Sequence, residues 1–528
     1  MRDLEDPPPH EPVEALAPRS VRHVIAVTGG RGGAGASTLA VNLGVYLAQL
    51  GRSVVLVDSD PVGAQLHHLL GMSLPEIGPP PEDSLVEELK PHDTPIPGLL
   101  LVPQGYSVGT SVPLRPGRKP RWARTLRQLE ADHVILDLGA GTAPATLDLY
   151  LGADLGICVT TPDPASVEGL YRFLRAIFQR RLRRTLIKDR FKIRLVDRAQ
   201  AELPPLPAPI EFIRTLARFD TQLAELGAAE LSRLRPKLAV NNVRLRTDAE
   251  LGASMTDMAS RYLGVNLEHI GNVDGEDCVW LSAVRRLPLL IDTPTSKSAR
   301  HIERIARRVQ ALMSTAAHSR TAEPISLLPA EPTLYDILLA HRSATDEELR
   351  RASRRQKEIF QAGSLSLTSL LSEERLRREL ARIEEAHDTL LDPLRRRAYD
   401  ISTLPEEPET EVTPNPARDA AMLAERDLLR EELAHELTPQ SQYHGALLRK
   451  IRESQGIELG DIASRTKISS AHLQALENDD FSALPALVYT RGFLREVAKF
   501  LALDPLQVSK TYLVRYRAWR EARDDAGN

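Results

Sequence analysis

Short apolar runs alternate with amphipathic stretches throughout residues 21–315, and this alternation limits the fold more than any other feature. Six of the runs are rich in β-branched residues: HVIAVTGG, VVLVDSD, GLLLVPQG, HVILDLG, LGICVTTP and KLAVNNV. Continuous apolar strands separated by helices are typical of a parallel sheet covered on both faces. We therefore predict an α/β fold with a doubly wound, mostly parallel sheet, followed by two small all-α domains.

Pro-rich and acidic segments divide the 528 residues into several parts. No comparable strand runs occur beyond residue 333, so that half of the chain is predicted to be helical. The predicted parts are, in chain order, a disordered acidic Pro-rich arm (1–20), the α/β domain (21–315) with a basic helical insert at about 171–235, a linker (316–332), a helical module (333–402), an acidic Pro-rich linker and helix (403–440), a second helical domain (441–517) and a tail (518–528).

Composition excludes several classes of protein. The chain has only two cysteines, so neither a disulfide framework nor a Cys-rich zinc site is expected. The first residues are acidic and Pro-rich, the reverse of a signal peptide, and no apolar run approaches 18 residues. These features predict a cytoplasmic protein, with association to the nucleoid or the inner membrane left open.

A glycine-rich loop follows the first strand and leads into a helix. Such a strand–loop–helix turn is suited to phosphate, because backbone N–H groups and the helix dipole converge on the anion. Gly30, Gly35 and Ser37 fit the phosphate-binding pattern G-x-x-x-x-G-K-[ST], but Ala36 occupies the position of the lysine. The alternative is a tight turn that binds no ligand.

The stretch RGGAGASTLAVNLGVYLAQLGRSVVLVDSDP resembles the MinD/ParA family of P-loop ATPases, whose loop reads K-G-G-x-G-K-[ST]-[ST] and whose second strand ends D-x-D. The blocks HVILDLGAG, TTPDPASVEGLYRFLRAI and GNVDGEDCVWLSAVRRLPLL extend the resemblance over about residues 21–315. It implies the cofactors ATP and Mg²⁺, with a nucleotide site made of Gly30, Arg31, Gly32, Gly33, Gly35, Ala36, Ser37, Thr38 and Asn241.

The same resemblance assigns roles to carboxylates at strand ends. Ser37, Asp58 and Asp137 would hold Mg²⁺, and Asp60 would position the attacking water, so Asp60 and Asp137 would be catalytic in an active enzyme. Asn241 would read adenine, with the adjacent asparagine as a competitor. The alternative for each carboxylate is a cap at the end of its strand.

Two lysines of that family are absent. One belongs to the loop, and the other is a signature lysine that reaches a phosphate across an ATP-sandwiched homodimer; this chain has Ala36 and Arg31 at those places. A charge-assisted hydrogen bond contributes about 1.5–3 kcal/mol, so losing one weakens nucleotide binding by roughly one to two decades. We predict a degenerate ATPase with slow or absent turnover. The alternative is an ATP hydrolase in which Arg31 compensates for Ala36.

Residues 171–198 carry eleven Lys or Arg and two acids, a local net charge of +9 in a chain of −4. Leu174, Ile177, Phe178, Leu182, Leu186 and Ile187 fall near helical spacing within this segment. This pattern predicts a basic amphipathic helix that docks on DNA phosphates or on a membrane. The alternative is a solvated helix that pairs with acids of the same chain between Glu202 and Glu230.

Residues 333–402 resemble a J domain at their two ends, Tyr335–Leu338 and Leu390–Asp400. That family stimulates DnaK-type chaperones through a His-Pro-Asp triplet after its second helix. Here Gln361-Ala362-Gly363 aligns with the triplet, so chaperone stimulation is not expected and an interaction module is favoured.

Residues 444–517 resemble the RodZ subgroup of Cro-type helix-turn-helix domains through the stretches LENDDF, YTRGFL and LALDP. Ser469 is predicted to cap a recognition helix. That helix would present Ser470, His472 and Gln474 to DNA or to a protein, with Arg491 nearby. Three acids near this helix, Glu477, Asp479 and Asp480, are expected to oppose the approach of phosphate.

These features support three functions, in this order. The first is a spatial-organisation or regulatory scaffold that dimerises and recruits cytoskeletal, polar or envelope proteins. The second is a DNA-binding transcriptional or nucleoid-associated regulator, and the third is a working MinD/ParA-type ATPase.

Overall fold

The computed structural model divides the chain into two compact units, one of residues 1–306 and 321–410 and the other of residues 307–320 and 411–528. The described residues are 23–60, 63, 65–73, 90–103, 126–316, 332–403, 433, 442–457, 459–466, 468–485 and 487–526. The predicted arm at 1–20 and most of the predicted linkers at 316–332 and 403–440 therefore lie outside the described residues. No helix within the described part of the chain is both long enough and apolar enough to cross a bilayer.

Strands and helices alternate along residues 23–316, all but the last ten of which belong to the first unit. The elements are β1 (His23–Gly29), α1 (Ala36–Gln49), β2 (Val54–Asp58), α2 (Leu66–Leu69), β3 (His92–Asp93), β4 (Leu99–Pro103), β5 (His133–Ala140), α3 (Pro144–Gly152), β6 (Leu155–Thr160), α4 (Pro164–Thr185), α5 (Arg190–Ala201), α6 (Pro209–Ala217), α7 (Thr221–Ser232), β7 (Lys237–Val243), α8 (Arg246–Met258), β8 (Glu268–Asp274), α9 (Asp277–Val284), α10 (Leu289–Asp292) and α11 (Lys297–Ala316).

The eight strands form one sheet in the order β3-β4-β2-β5-β1-β6-β7-β8. Every pairing is parallel except the short antiparallel pair of β3 and β4. The predicted fold class is therefore confirmed. All six predicted strands are present; β3 and β8 were not predicted because β3 has two residues and β8 mixes polar and apolar positions.

The basic segment at 171–198 is not one helix, so that prediction is wrong. It lies on α4 and α5, which are separated by a turn at residues 186–189. Most of the apolar residues named in the sequence analysis face the core instead of a membrane. Five of them are at most 3% exposed: Leu174, Ile177, Phe178, Leu182 and Leu186. The exception is Ile187, which is 69% exposed.

The helical module packs against the α/β domain within the first unit. Its elements are α12 (Leu334–Leu338), α13 (Asp346–Ile359), a short 3₁₀ turn (Leu365–Leu367), α14 (Glu373–Leu390) and α15 (Pro393–Thr403). The buried Tyr171 hydroxyl of α4 donates to Ser366 O (2.7 Å). Arg261 pairs with Glu379 of α14 (2.6 Å) and stacks on Phe360. The module is therefore a docked part of this unit.

The two ends of the module, which carry the resemblance to a J domain, lie in contact. Tyr335 donates its hydroxyl proton to Asp400 (3.0 Å) and accepts a hydrogen bond from Arg396 (2.9 Å). Gln361-Ala362-Gly363 is exposed in the connection that follows α13. The resemblance to a J domain stays a prediction.

The described residues after 441 form five helices: α16 (Gly445–Ser454), α17 (Leu459–Thr466), α18 (Ser470–Glu477), α19 (Leu487–Phe500) and α20 (Pro505–Ala526). Their core contains the residues expected from the helical period, Leu447, Ile451, Ile462, Ile468, Leu473 and Leu476, with Ala463 partly buried against them. Tyr512 of α20 closes this core and donates to Leu476 O (2.8 Å). The long last helix is thus part of the second unit's core.

Candidate functional site

Glycines and backbone hydrogen bonds shape the loop between β1 and α1. Gly33 and Gly35 have φ of 82° and 94°, in the left-handed region that favours glycine. Gly30 N–H donates to Val159 O (2.9 Å), which fixes the loop to a neighbouring strand. Helix α1 begins at Ala36, and no side chain caps its N-terminus. Free N–H groups at a helix start are suited to hold phosphate.

Two of the predicted metal ligands lie side by side toward the carboxyl ends of two inner strands of the sheet. Asp58 ends β2 and pairs in register with Asp137 of the adjacent parallel strand β5. Asp58 accepts a hydrogen bond from Leu66 N–H (3.0 Å), and Asp137 accepts one from Gly139 N–H (3.2 Å). Each keeps one buried oxygen, Oδ1 of Asp58 and Oδ2 of Asp137, that makes no hydrogen bond of ordinary geometry with the described residues.

Burial makes both carboxylates hard to ionise. It raises the pKa of Asp58 from 3.8 to about 7, and the adjacent charge of Asp137 adds to the rise. The pKa of Asp137 is raised to about 6 for the same main reason, with the nearby Ser37 hydroxyl acting in the opposite direction. Ionising both carboxylates of a buried pair costs free energy, because each charge loses its hydration and the two charges repel. A bound cation offsets this cost.

Asp60 reaches the same point from the loop after β2. Its carboxylate lies against Gly139, where a Cβ would stand 2.3 Å from Asp60 Oδ2. Gly139 also has a φ of 61°, so glycine is required there both by conformation and by this close approach. The negative charge of Asp60 contributes to the raised pKa of Asp137. The structure therefore brings together all three carboxylates that the sequence singled out.

The described residues contain no group of three or more His, Cys, Asp or Glu arranged as a metal site. The arrangement nevertheless fits Mg²⁺, which is usually held by one or two carboxylates, phosphate oxygens and water. The unpartnered oxygens of Asp58 and Asp137 and the Ser37 hydroxyl at the start of α1 provide such donors. Gln65, which was not predicted, donates to Ser37 Oγ (3.1 Å) and orients this hydroxyl.

Arg31 makes a contact that the sequence pattern did not reveal. Its guanidinium pairs with Asp163 (3.2 Å), and about half of the Arg31 side chain is exposed. Asp163 is the N-cap of α4, where it accepts from Ser166 N–H (3.0 Å). These bonds, together with one from Thr161, hold the pKa of Asp163 below its usual value against the opposing effect of burial. The arginine is thus engaged within its own chain.

Asn241 supports the loop in this structure. Its Nδ2 donates to Ala34 O (3.0 Å) and stands so close to Gly35 that a Cβ there would lie 2.1 Å away. Asn242, the competing residue, has a φ of 58° and accepts from Arg244 (3.1 Å). The predicted contact of Asn241 with a base is left to its Oδ1 oxygen and its second Nδ2 proton.

In the second unit, the predicted cap and two predicted contact residues lie where expected. Ser469 accepts from His472 N–H (3.3 Å) at the start of α18, and Ser470 and Gln474 are exposed. Arg491 is exposed on α19. The His472 ring packs beside Phe493, with centroids 5.6 Å apart, so His472 is less available to a ligand than predicted.

The expected repulsion by acids near α18 is mostly cancelled, which corrects that expectation. Glu477 is buried and forms a two-pronged pair with Arg452 (2.6 and 3.0 Å), with Arg449 at 3.3 Å. Asp479 accepts from Gly445 N–H (2.8 Å) and pairs with Arg515 (3.3 Å). These two charges therefore oppose phosphate much less than the sequence suggests.

Several cations of the basic segment also find partners inside the chain. Arg180 donates to Asp148 (2.8 Å), Arg181 to Glu230 (2.6 Å), and Arg183 pairs with Asp197 (2.8 Å). Glu230 belongs to the acidic residues that the alternative interpretation named. For these arginines, the structure supports pairing within the chain over contact with DNA or lipid.

Two family models match the chain. Residues 20–180 match ParA, described as the NUBPL iron-transfer P-loop NTPase, and residues 447–508 match a helix-turn-helix domain.

Curated relatives match part of the chain. An iron-sulfur cluster carrier protein of Helicobacter pylori is 29% identical over 185 residues, which are 33% of this chain and 48% of that protein. The septum site-determining protein MinD of Bacillus subtilis is 31% identical over 163 residues, 28% of this chain and 57% of its own length. The chain thus spans about half the length of the curated relatives it matches.

Among solved structures, the MinD protein of Pyrococcus horikoshii in complex with Mg-ADP covers 56% of this chain and 99% of its own, at 17% identity and a TM-score of 0.36. The sequence matches carry the similarity to known families. Together with the sheet order and the loop geometry, those matches make residues 20–180 similar to ParA-type P-loop NTPases and residues 447–508 similar to helix-turn-helix domains.

Proposed function

We propose that the first unit binds Mg²⁺–nucleotide weakly and turns it over slowly or not at all, and that the chain acts as a spatial-organisation or regulatory scaffold. The observation that carries this proposal is a pair of buried carboxylates, each with one oxygen that accepts no hydrogen bond of ordinary geometry, together with an alanine at the loop's lysine position. Asp58 and Asp137 retain the oxygens that a metal needs. Ala36, by contrast, can donate no charge-assisted hydrogen bond to a phosphate.

In this proposal each part of the site has a separate task. The loop from Gly30 to Thr38 binds phosphate oxygens through backbone N–H groups, and Ser37, Asp58 and Asp137 hold the metal. Bound Mg²⁺ would neutralise phosphate charge and orient the phosphate chain. Asp60 faces the same edge and would position a water molecule by accepting a hydrogen bond from it.

Slow turnover follows from where charge develops. Charge on the transferring phosphoryl group is spread over its oxygens in the transition state, so a missing cation affects the rate as well as binding. Arg31 carries a positive charge, but Asp163 holds it at 3.2 Å. A contact from Arg31 to a phosphate of a second copy would have to share the guanidinium with Asp163 or break this pair, which costs part of the energy gained.

The test compares ATP binding with Mg²⁺ and phosphate release in the wild-type chain and in Ala36→Lys. Ala36→Gln is the matched control, because glutamine adds length without charge. We expect binding to tighten by about one to two decades only with lysine. Steady turnover by the wild type that is lost in Arg31→Gln would instead establish the working ATPase in which Arg31 compensates.

An exposed apolar face beside α1 supports the homodimer expected of the scaffold in the sequence analysis. Trp280, Val284 and Leu287 are 67%, 58% and 42% exposed on and just after α9. Leu290 N–H donates to Asn42 of α1 (2.9 Å), so this face adjoins the helix that follows the phosphate loop. Exposed apolar side chains in such a group are typical of protein interfaces. Trp280→Ser should reduce nucleotide-dependent dimerisation, measured by light scattering after size exclusion.

Carriage of an iron-sulfur cluster, the role of several relatives, is not part of this proposal. Clusters are held by Cys thiolates. Cys158 is completely buried beside Tyr150, and burial raises the pKa of its thiol to about 12. Cys278 is then the one remaining cysteine in the sequence, too few for a cluster site within one chain.

A DNA-binding regulator is the second candidate, favoured by the internal pairing of Glu477 and Asp479. With these charges cancelled, exposed Ser470, Gln474 and Arg491 can approach a duplex. Binding of the full chain to DNA would be measured at two salt concentrations, with Gln474→Ala and the exposed control Glu496→Ala. Sequence preference that Gln474→Ala relaxes supports specific control, whereas a salt slope without preference argues against it.

A further inference from the structure

The turn between α4 and α5 presents apolar and basic side chains together to solvent. Ile187 and Phe191 are 69% and 67% exposed. Lys188, Arg190 and Arg194 are exposed beside them. We call these five residues the elbow.

The elbow is anchored firmly from below. Leu186 and Val196 are at most 3% exposed in the main core, and Ile193 and Leu195 pack partly against it. Asp189 caps α5 by accepting from Lys192 N–H (3.0 Å). The exposed apolar side chains therefore project from a fixed turn.

The cations of the elbow differ from the other cations of the basic segment. Within the part of the chain that the structure describes, Lys188, Arg190 and Arg194 have no ion pair or hydrogen bond from their side chains. The two nearby acids are already engaged, Asp189 with Lys192 (4.0 Å) and Asp197 with Arg183 (2.8 Å). The elbow therefore carries three uncompensated positive charges around two exposed apolar side chains.

We propose that the elbow is a docking site for a bilayer containing anionic lipids. Ile187 and Phe191 insert at the level of the headgroups, and Lys188, Arg190 and Arg194 face lipid phosphates. The interfacial zone of a membrane accepts both types of side chain at once, because apolar groups reach the acyl boundary while cations stay in the headgroup layer. A DNA duplex would use the cations but would leave Ile187 in water.

The size of the effect follows from general values. Each Lys or Arg near an anionic membrane contributes about 1 kcal/mol, equivalent to about fivefold in affinity, so three cations together contribute about a hundredfold. Partial burial of an Ile and a Phe contributes at least about tenfold more. This inference does not depend on nucleotide binding.

The test is co-sedimentation of the full-length protein with vesicles of phosphatidylcholine, with and without phosphatidylglycerol. We expect binding only to the anionic vesicles, and we expect it to weaken with salt. The variant K188Q/R190Q/R194Q should lose about a hundredfold, and I187S/F191S at least about tenfold. The matched controls are R350Q/R354Q, which removes two exposed arginines of α13, and Leu394→Ser, which removes an apolar side chain that is 81% exposed.

Three results would overturn the proposal. One is equal binding by I187S/F191S and the wild type, which would mean that the cations attract any polyanion. Another is the same loss in the control variants as in the elbow variants. The third is tighter elbow-dependent binding to a DNA duplex than to anionic vesicles. Far-ultraviolet circular dichroism of each variant establishes that it is folded.

Discussion

Asp58→Asn should stabilise the metal-free protein and at the same time abolish its response to Mg²⁺. Asp58 is 1% exposed, and its pKa is raised from 3.8 to about 7, a rise of about three units. At 1.36 kcal/mol per unit, holding this carboxylate ionised at pH 8 costs about 4 kcal/mol. Asparagine has the same shape, and its Oδ1 can still accept from Leu66 N–H, so the cost is removed while the hydrogen bond stays.

The sign of the pH dependence follows from the raised pKa. In the wild type, stability is fully present below pH 3.8, where Asp58 is protonated in both states, and is lost as pH rises through about 7. Asp137, with its pKa raised to about 6, acts in the same direction. Because Mg²⁺ binds the ionised pair, its affinity should rise about tenfold from pH 6 to pH 8, as Asp58 loses its proton.

The assay is thermal unfolding with and without Mg²⁺ from pH 5 to pH 8. We expect Asp58→Asn to raise the melting temperature of the first unit at pH 8 by up to about 8–16 °C, since about 1 kcal/mol corresponds to roughly 2–4 °C for a domain of 150–250 residues and to less for a larger unit. The control is Asp148→Asn, which removes a carboxylate that pairs favourably with Arg180 and should lower stability. A metal-free Asp58→Asn protein less stable than the wild type at pH 8 would refute the metal-site interpretation.

Two further predictions concern the helical parts, and both use hydrogen exchange of peptides from the full-length chain. Glu477→Leu should destabilise α18 by about 3–5 kcal/mol because it removes the two-pronged carboxylate partner of the buried Arg452. Adding Arg452→Met should restore most of that loss, and an equal effect of the single and double variants would contradict this. Tyr171→Phe should speed hydrogen exchange around Ser366, because it removes a buried hydrogen bond that contributes about 1–3 kcal/mol. The control Tyr489→Phe, at an exposed tyrosine, should leave this exchange unchanged. Unchanged exchange in Tyr171→Phe would mean that this contact does not hold the module.

Much of the nucleotide site could be predicted because its parts are local. The loop lies between one strand and the next helix, and Asp58 and Asp60 follow the second strand directly. Asp137 lies in the second half of another apolar strand, β5, which placed it near the same edge, since the carboxyl ends of parallel strands meet there. Such features need only neighbouring residues and the direction of the strands.

Contacts between distant residues could not be predicted in the same way. Arg31 and Asp163 are 132 positions apart, and nothing in either segment indicates that they pair. The pairing of Arg452 with Glu477 is also invisible in the sequence, where the acid looks like a barrier to phosphate. The net charge of a segment gives the balance of its cations and anions, but it does not say which of them face solvent.

The sequence by itself determined the doubly wound sheet, the phosphate loop and the alanine in it, because hydrophobic period, strand ends and loop glycines are properties of short contiguous stretches. Only the tertiary structure decided which charges are available. Burial raised the pKa values of Asp58 and Asp137, partners within the chain neutralised most of the basic segment, and the turn at residues 186–189 left the elbow exposed. The physical reason is that solvation and Coulomb energies depend on distance in space and on exclusion of water, both of which are set by packing between residues far apart in the chain.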